Sequence, residues 1–195
     1  MTAQRVLGLG CLAAAAAVIG WALFVGLPRS SAPRAPRTAV AAPAATAAPG
    51  TATASRRIKA RLFYVSDDGT RLKAIEQDVA YGDGPAAQAQ EIIKAQIAPA
   101  AAPLVSAVPS GTTLRALYLT PNGSAYVDLS RDVVTAHPGG SLDELLTVYS
   151  IVNALTMNLP AVTSVQVLVD GKAVDTLVGH VDLRRPLTKN VSWVE

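Results

Sequence analysis

The sequence predicts an α+β domain: one antiparallel or mixed β-sheet with two α-helices packed on one face. Three observations predict it. β-rich runs come in pairs separated by turn residues, two longer segments carry apolar residues at helical spacing, and the order reads β, β, α, β, β, α, β, β without a repeat of solenoid period. The 195 residues suffice for one core, and with half of them apolar and 16% charged the chain is neither a solvated polymer nor a strongly nucleic-acid-seeking protein. Residues 1–55 hold Arg5, Arg29, Arg34, Arg37 and no acid. The formal net charge of +3 is therefore +4 in this front part and −1 in the rest, so no nucleic-acid partner is expected.

Residues 6–27 carry no charge and at about 1.5 Å per residue would span roughly 33 Å, enough for a transmembrane anchor. A cleaved signal sequence is the alternative for 1–27, since a short basic region precedes the apolar run; that run exceeds the roughly 7 to 15 residues usual in a signal peptide, which favours the anchor. Cys11, the only cysteine, has too short an apolar run ahead of it for lipidation and reads as a small residue of the span. Residues 28–56 form an Ala/Pro/Thr-rich linker. Its stretch 28–55 has five Pro, eleven Ala, four Thr and no aromatic or acid, so it buries no core and reads as a disordered stalk of at most about 85 Å.

The domain is expected over 57–195. Residues 58–65 alternate, Ser66-Asp67-Asp68-Gly69 supplies a turn, and a second strand covers 72–79. Asp83-Gly84-Pro85 opens a helix with Ala89, Ile92, Ile93, Gln96 and Ile97 at helical spacing, ended by Pro99 and Pro103. Strands at 113–119 and 124–129 flank Pro121-Asn122-Gly123. Ser141-Leu142-Asp143-Glu144 reads as a capping box opening a helix with Leu145, Val148, Tyr149, Val152, Leu155 and Leu159 on one face, closed by Pro160. A strand at 165–169, the Asp170-Gly171 turn and a partner strand at 172–177 complete the pattern.

Chemical motifs are few. Gly82-Asp83-Gly84-Pro85-Ala86-Ala87 fits a dinucleotide turn, but Pro85 removes a donor and no acid follows at about 20 residues, so no cofactor is expected. His137 and His180 lack the surroundings of metal ligands, and no metal site is expected. Asp128 and Asp132, flanking Ser130 and Arg131, could form an acid/base or cation pair; turn and cap roles fit Asp128 and Ser130 better. Arg184 and Arg185 read as a solvated pair. No serine carries a nucleophile motif, and no catalytic residue is assigned.

The run Ser106-Ala107-Val108-Pro109-Ser110-Gly111-Thr112-Thr113-Leu114, with 125–130, 144–156, 165–171 and Gly179-His180-Val181-Asp182, resembles the GerMN domain, the sporulation and spore germination domain. The resemblance covers most of 57–186. It implies a fold similar to a ring-building motif, export, membrane tethering and a place in bacterial envelope or peptidoglycan-associated assemblies, without implying an enzyme. The expected function is an extracytoplasmic interaction or scaffold protein, single-pass in the inner membrane, that binds an envelope protein or peptidoglycan and can self-associate. The count of Arg residues flanking the span slightly opposes this orientation, which rests on the resemblance. The alternative is a peptidoglycan-acting envelope enzyme, with a small-ligand sensor as a weaker third reading. Having one such domain and no lipobox, the chain does not inherit a specific sporulation role.

Overall fold

The computed structural model describes residues 56–195; the expected anchor or signal sequence and the stalk at 28–55 lie outside the described residues. β1 (Arg57–Val65) and β2 (Leu72–Ala80) form an antiparallel hairpin in register from Arg57↔Ala80 to Val65↔Leu72. In its turn, Asp68 Oδ1 accepts the Ser66 hydroxyl at 2.6 Å and the Thr70 N–H at 3.0 Å. α1 (Pro85–Ile97) follows, then β3 (Val105–Ser106), which pairs with the other edge of β1 at Tyr64 and Val65 only.

The second sheet is built from β4 (Leu114–Leu119), β5 (Ser124–Leu129), β6 (Ser164–Val169) and β7 (Lys172–Ala173), with β8 (Leu187–Thr188) also on β6. β4 and β5 are antiparallel, whereas β5 and β6 are parallel. A parallel pair needs a long crossover. α2 (Asp132–Thr135) and α3 (Ser141–Asn158) supply it.

The α+β class and most element positions agree with the sequence reading, but the strands form two sheets rather than one. α1 packs on β4, on the β1–β2 hairpin and on α3, and α3 packs on both β1 and β6. The helices thus contact both sheets instead of covering one face of a single sheet. α3 shows why: Leu146, Val148, Ile151, Val152, Ala154 and Leu155 are all buried, which no single face of a helix could account for. The buried positions run past one face of the helix and include polar Glu144, Thr147, Ser150 and Asn153. Of the expected face, Val148, Val152 and Leu155 are fully buried, while Leu145, Tyr149 and Leu159 are partly covered.

Past β7 the chain is irregular where a strand to 177 was expected, because 177–181 is drawn inward by a buried carboxylate. The closing segment then crosses the molecule. It pairs with β6 at Leu187–Thr188, exchanges two amide hydrogen bonds between Asn190 and Asn153 of α3, and reaches the hairpin, where Leu72 N–H donates to Trp193 O at 2.7 Å and Glu195 N–H to Leu72 O at 3.0 Å.

Candidate functional site

Glu144 is fully buried and has a different task from the expected capping box. The N-cap of α3 is Gly140, with φ of 86°, and no side chain caps the helix. Ser141 is already helical, so Glu144 faces inward. Its Oε1 accepts the N–H groups of Leu177 at 2.8 Å and Val178 at 3.1 Å; its Oε2 accepts the His180 N–H at 2.8 Å and lies 3.1 Å from His180 Nδ1. An ionised carboxylate only accepts, so Nδ1 carries the proton in this contact. Burial pushes the Glu144 carboxyl up, but the backbone N–H groups of Val178, His180, Leu177 and Val181 together outweigh it and hold it below the ordinary glutamate range.

His137, 43 positions earlier than His180, sits within electrostatic reach of both Glu144 and His180. Its Nδ1 accepts the Gly139 N–H at 3.0 Å, so the proton lies on Nε2, which faces Thr147 Oγ1 at 3.2 Å. The Thr147 hydroxyl in turn donates to Ala107 O at 2.6 Å. Burial lowers the pKa of His137, with opposing pulls from Glu144 and Asp143. The neutral ring suits this chain of bonds.

Asp128 and Asp132 have separate partners. Asp128, buried on β5, accepts the Gly171 N–H at 2.7 Å and lies 3.3 Å from Arg115 Nε. Arg115 also binds Asp170 at 2.7 Å, and Arg131 reaches Asp170 at 3.2 Å. These two arginines and two aspartates clasp the β6–β7 turn, where Asp170 takes a φ of 51° and Gly171 one of 76°. The Arg131 and Arg115 guanidinium groups hold the Asp170 carboxyl below its ordinary range. Asp132 instead accepts the Ser130 hydroxyl at 2.7 Å, and Ser130 Oγ accepts the Thr113 N–H. Arg184 folds back on Asp182 at 2.7 Å with both side chains exposed, and Arg185 is exposed beside it.

The Gly82–Ala87 motif is a packing device. A Cβ at Gly82 would collide with the backbone of Ala87 and Gln88, so glycine lets the end of β2 approach the first turn of α1. Gln88 then ties the two, accepting the Gly82 N–H at 3.0 Å and donating to Ala80 O at 3.2 Å. The Gly82 N–H is thus spent on Gln88 and the Gln88 N–H on Gly84 O at 2.9 Å, and Pro85 brings no donor.

Sequence reasoning did not foresee two clefts. One, of about 760 Å³, lies by the end of α1, the 104–113 segment and the first turns of α3. The other, of about 510 Å³, lies where the start of α1, the β4–β5 turn and the α3–β6 loop meet, and is walled by Tyr81, Pro85, Leu119, Pro121, Leu159 and Val162. Nor did it foresee that Arg115 would bridge Asp128 and Asp170. The charges themselves were visible, but their meeting depends on the parallel β5–β6 pair.

Residues 61–175 match the family model Germane, described as sporulation and spore germination. Among solved structures, a candidate lipoprotein from Clostridium perfringens is 24% identical with a TM-score of 0.50, over 69% of this chain and 89% of that one. The tandem GerMN domains of the sporulation protein GerM from Bacillus subtilis are 16% identical with a TM-score of 0.54, over 68% of this chain. The match spans 46% of that tandem chain. These structural likenesses are likenesses of fold. No curated protein matches the chain significantly.

Proposed function

This chain belongs to the Germane family of sporulation and spore germination domains, and from that premise we propose that it is a tethered, non-catalytic interaction protein of the bacterial cell envelope. The observation that carries the reading is how the domain uses its charges. Glu144 spends its lone pairs on the 177–181 loop, Asp128 on Gly171 and Arg115, and Asp170 on Arg115 and Arg131. A general base needs a free lone pair within reach of a substrate proton. These carboxylates hold loops in place and so shape a surface.

In this reading residues 6–27 hold the chain in the inner membrane, 28–55 lift the domain away from it, and the domain outside the cytoplasm binds an envelope protein or peptidoglycan. Cross-linking in intact cells, followed by identification of what the domain touches, tests it beside a turnover assay on purified cell wall. Saturable capture without turnover is the expected result. Turnover lost on replacing a single carboxylate would overturn it in favour of an envelope enzyme. Amino-terminal sequencing of the membrane fraction tests the anchor: a soluble product beginning after Leu27 would mean that the span is cleaved.

A further inference from the structure

We propose that the cleft between the start of α1, the β4–β5 turn and the α3–β6 loop docks an extended segment of a protein partner that presents two or three apolar side chains beside a carboxylate. The proposal rests on the interaction reading above and gives it a location. The volume, about 510 Å³, lies within the roughly 300–1,000 Å³ range of ligand pockets and is about three times that of a cavity able to hold benzene. Two or three apolar side chains therefore fit.

The lining is hydrocarbon even where its residues are polar. Gln88 spends its amide on Gly82 and Ala80, and Thr120 Oγ1 is engaged by Asn122 Oδ1 and by Ser124 N–H and O. The walls are also stiff. Pro85, Pro121 and Pro160 each fix a backbone angle, Gly82 is pressed on the first turn of α1, and a Cβ at Gly123 would come within 2.8 Å of Ala161 O. A preformed wall lowers the entropy lost on binding. At Gly84, by contrast, an added Cβ would meet nothing within 4 Å, so the mouth is open.

Charge selects the occupant. The Arg56 guanidinium lies 3.2 Å from the centroid of the Tyr81 ring at the rim, and Arg56 has no ion pair among the described residues. Asp83, exposed on the adjoining loop, makes no ion pair with Arg56, so the guanidinium at the rim is left for a partner's anion. Tyrosine and arginine together are typical of protein interfaces, and extended peptides lay proline and aliphatic groups on rigid aromatic walls. Tyr81, Pro121, Pro160 and Ala161 are exposed around a floor that includes buried Val162, a shape open to a peptide from the side.

The test measures fluorescence anisotropy of the full-length chain with four labelled peptides. The first carries Asp-Leu-Pro-Leu between Gly-Ser flanks, the second replaces its Asp by Asn, the third by Lys, and the fourth replaces both Leu by Ser. The first peptide should bind about tenfold or more tighter than the third and fourth, with the second between them. Ala161→Phe, which fills the mouth, and Tyr81→Ser should each weaken binding by about tenfold at an unchanged melting midpoint. Arg56→Glu should reverse the preference between the Asp and Lys peptides. Equal binding of all four, indifference to both cleft variants, or no saturable binding up to about 1 mM would overturn the proposal. Binding to phosphatidylglycerol vesicles through the same cleft in place of the peptides would overturn it too. A partner still captured in cells while the peptides fail would remove only the cleft, whereas turnover on cell wall would remove the interaction reading itself.

Discussion

One carboxylate, Glu144, satisfies several donors that the irregular 177–181 loop would otherwise leave without partners. Its folded pKa lies below the ordinary 4.5, so its contribution to stability is complete above that value and is lost as pH falls through the folded one. His137 is also lowered, from 6.5, but here the neutral ring is the favoured form. Protonation of the unfolded chain then begins first, and stability declines as pH falls below about 6.5. Urea midpoints at about pH 7.5, 5.5 and 4 separate the two groups. His137→Gln should flatten the upper step and Glu144→Gln the lower one. Glu144→Gln should also cost on the order of 1–3 kcal/mol at neutral pH, because an amide NH₂ would face donors. Unaltered pH profiles in both variants would show that neither group is linked to folding.

Among the elements, β1 has an unusual edge. β3 covers it only at Tyr64 and Val65, and two amide side chains continue the ladder in place of a strand. Gln96 of α1 accepts the Phe63 N–H at 2.8 Å and donates to Phe63 O at 2.7 Å, and Asn158 of α3 does the same for Arg61 at 2.8 and 2.7 Å. Gln96 is fully buried, whereas the Asn158 bonds are exposed and water can replace them. Gln96→Leu should therefore cost about 2–4 kcal/mol, for two stranded backbone groups, and Asn158→Ala about 1 kcal/mol or less. Equal losses would mean that solvent reaches both. The same difference in visibility applies to reading the chain. The hairpin pairs and both long helices were legible, because alternation, turn residues and apolar spacing are local signals. Gln96 fell among apolar helix positions, which marked it as odd without naming its partner. The division into two sheets was not legible, since nothing local says that the β1–β2 hairpin and β4 lie in different sheets.

For the whole molecule, the segment 187–195 links parts that no single core residue spans: β6 at Leu187, α3 at Asn190 and the β1–β2 hairpin at Trp193 and Glu195. Short irregular pieces carry no periodicity, which is why sequence reasoning passed over them. Its energetics follow from magnitudes. Ordering each residue costs about 1–2 kcal/mol, while each hydrogen bond returns about 1 kcal/mol, and only Leu187, Trp193 and Val194 add partly buried apolar surface. The segment is close to balance and should open without global unfolding. Hydrogen exchange should show the 189–195 amides exchanging far faster than the paired β1–β2 amides. Deleting 187–195 should lower global stability by only about 1–2 kcal/mol while increasing exchange at Leu72, whose N–H loses its Trp193 acceptor. The unfolding transition should remain single, because the helices still join both sheets. A truncated chain that unfolds in two steps would show instead that this segment, and not the helix layer, couples the hairpin to the second sheet.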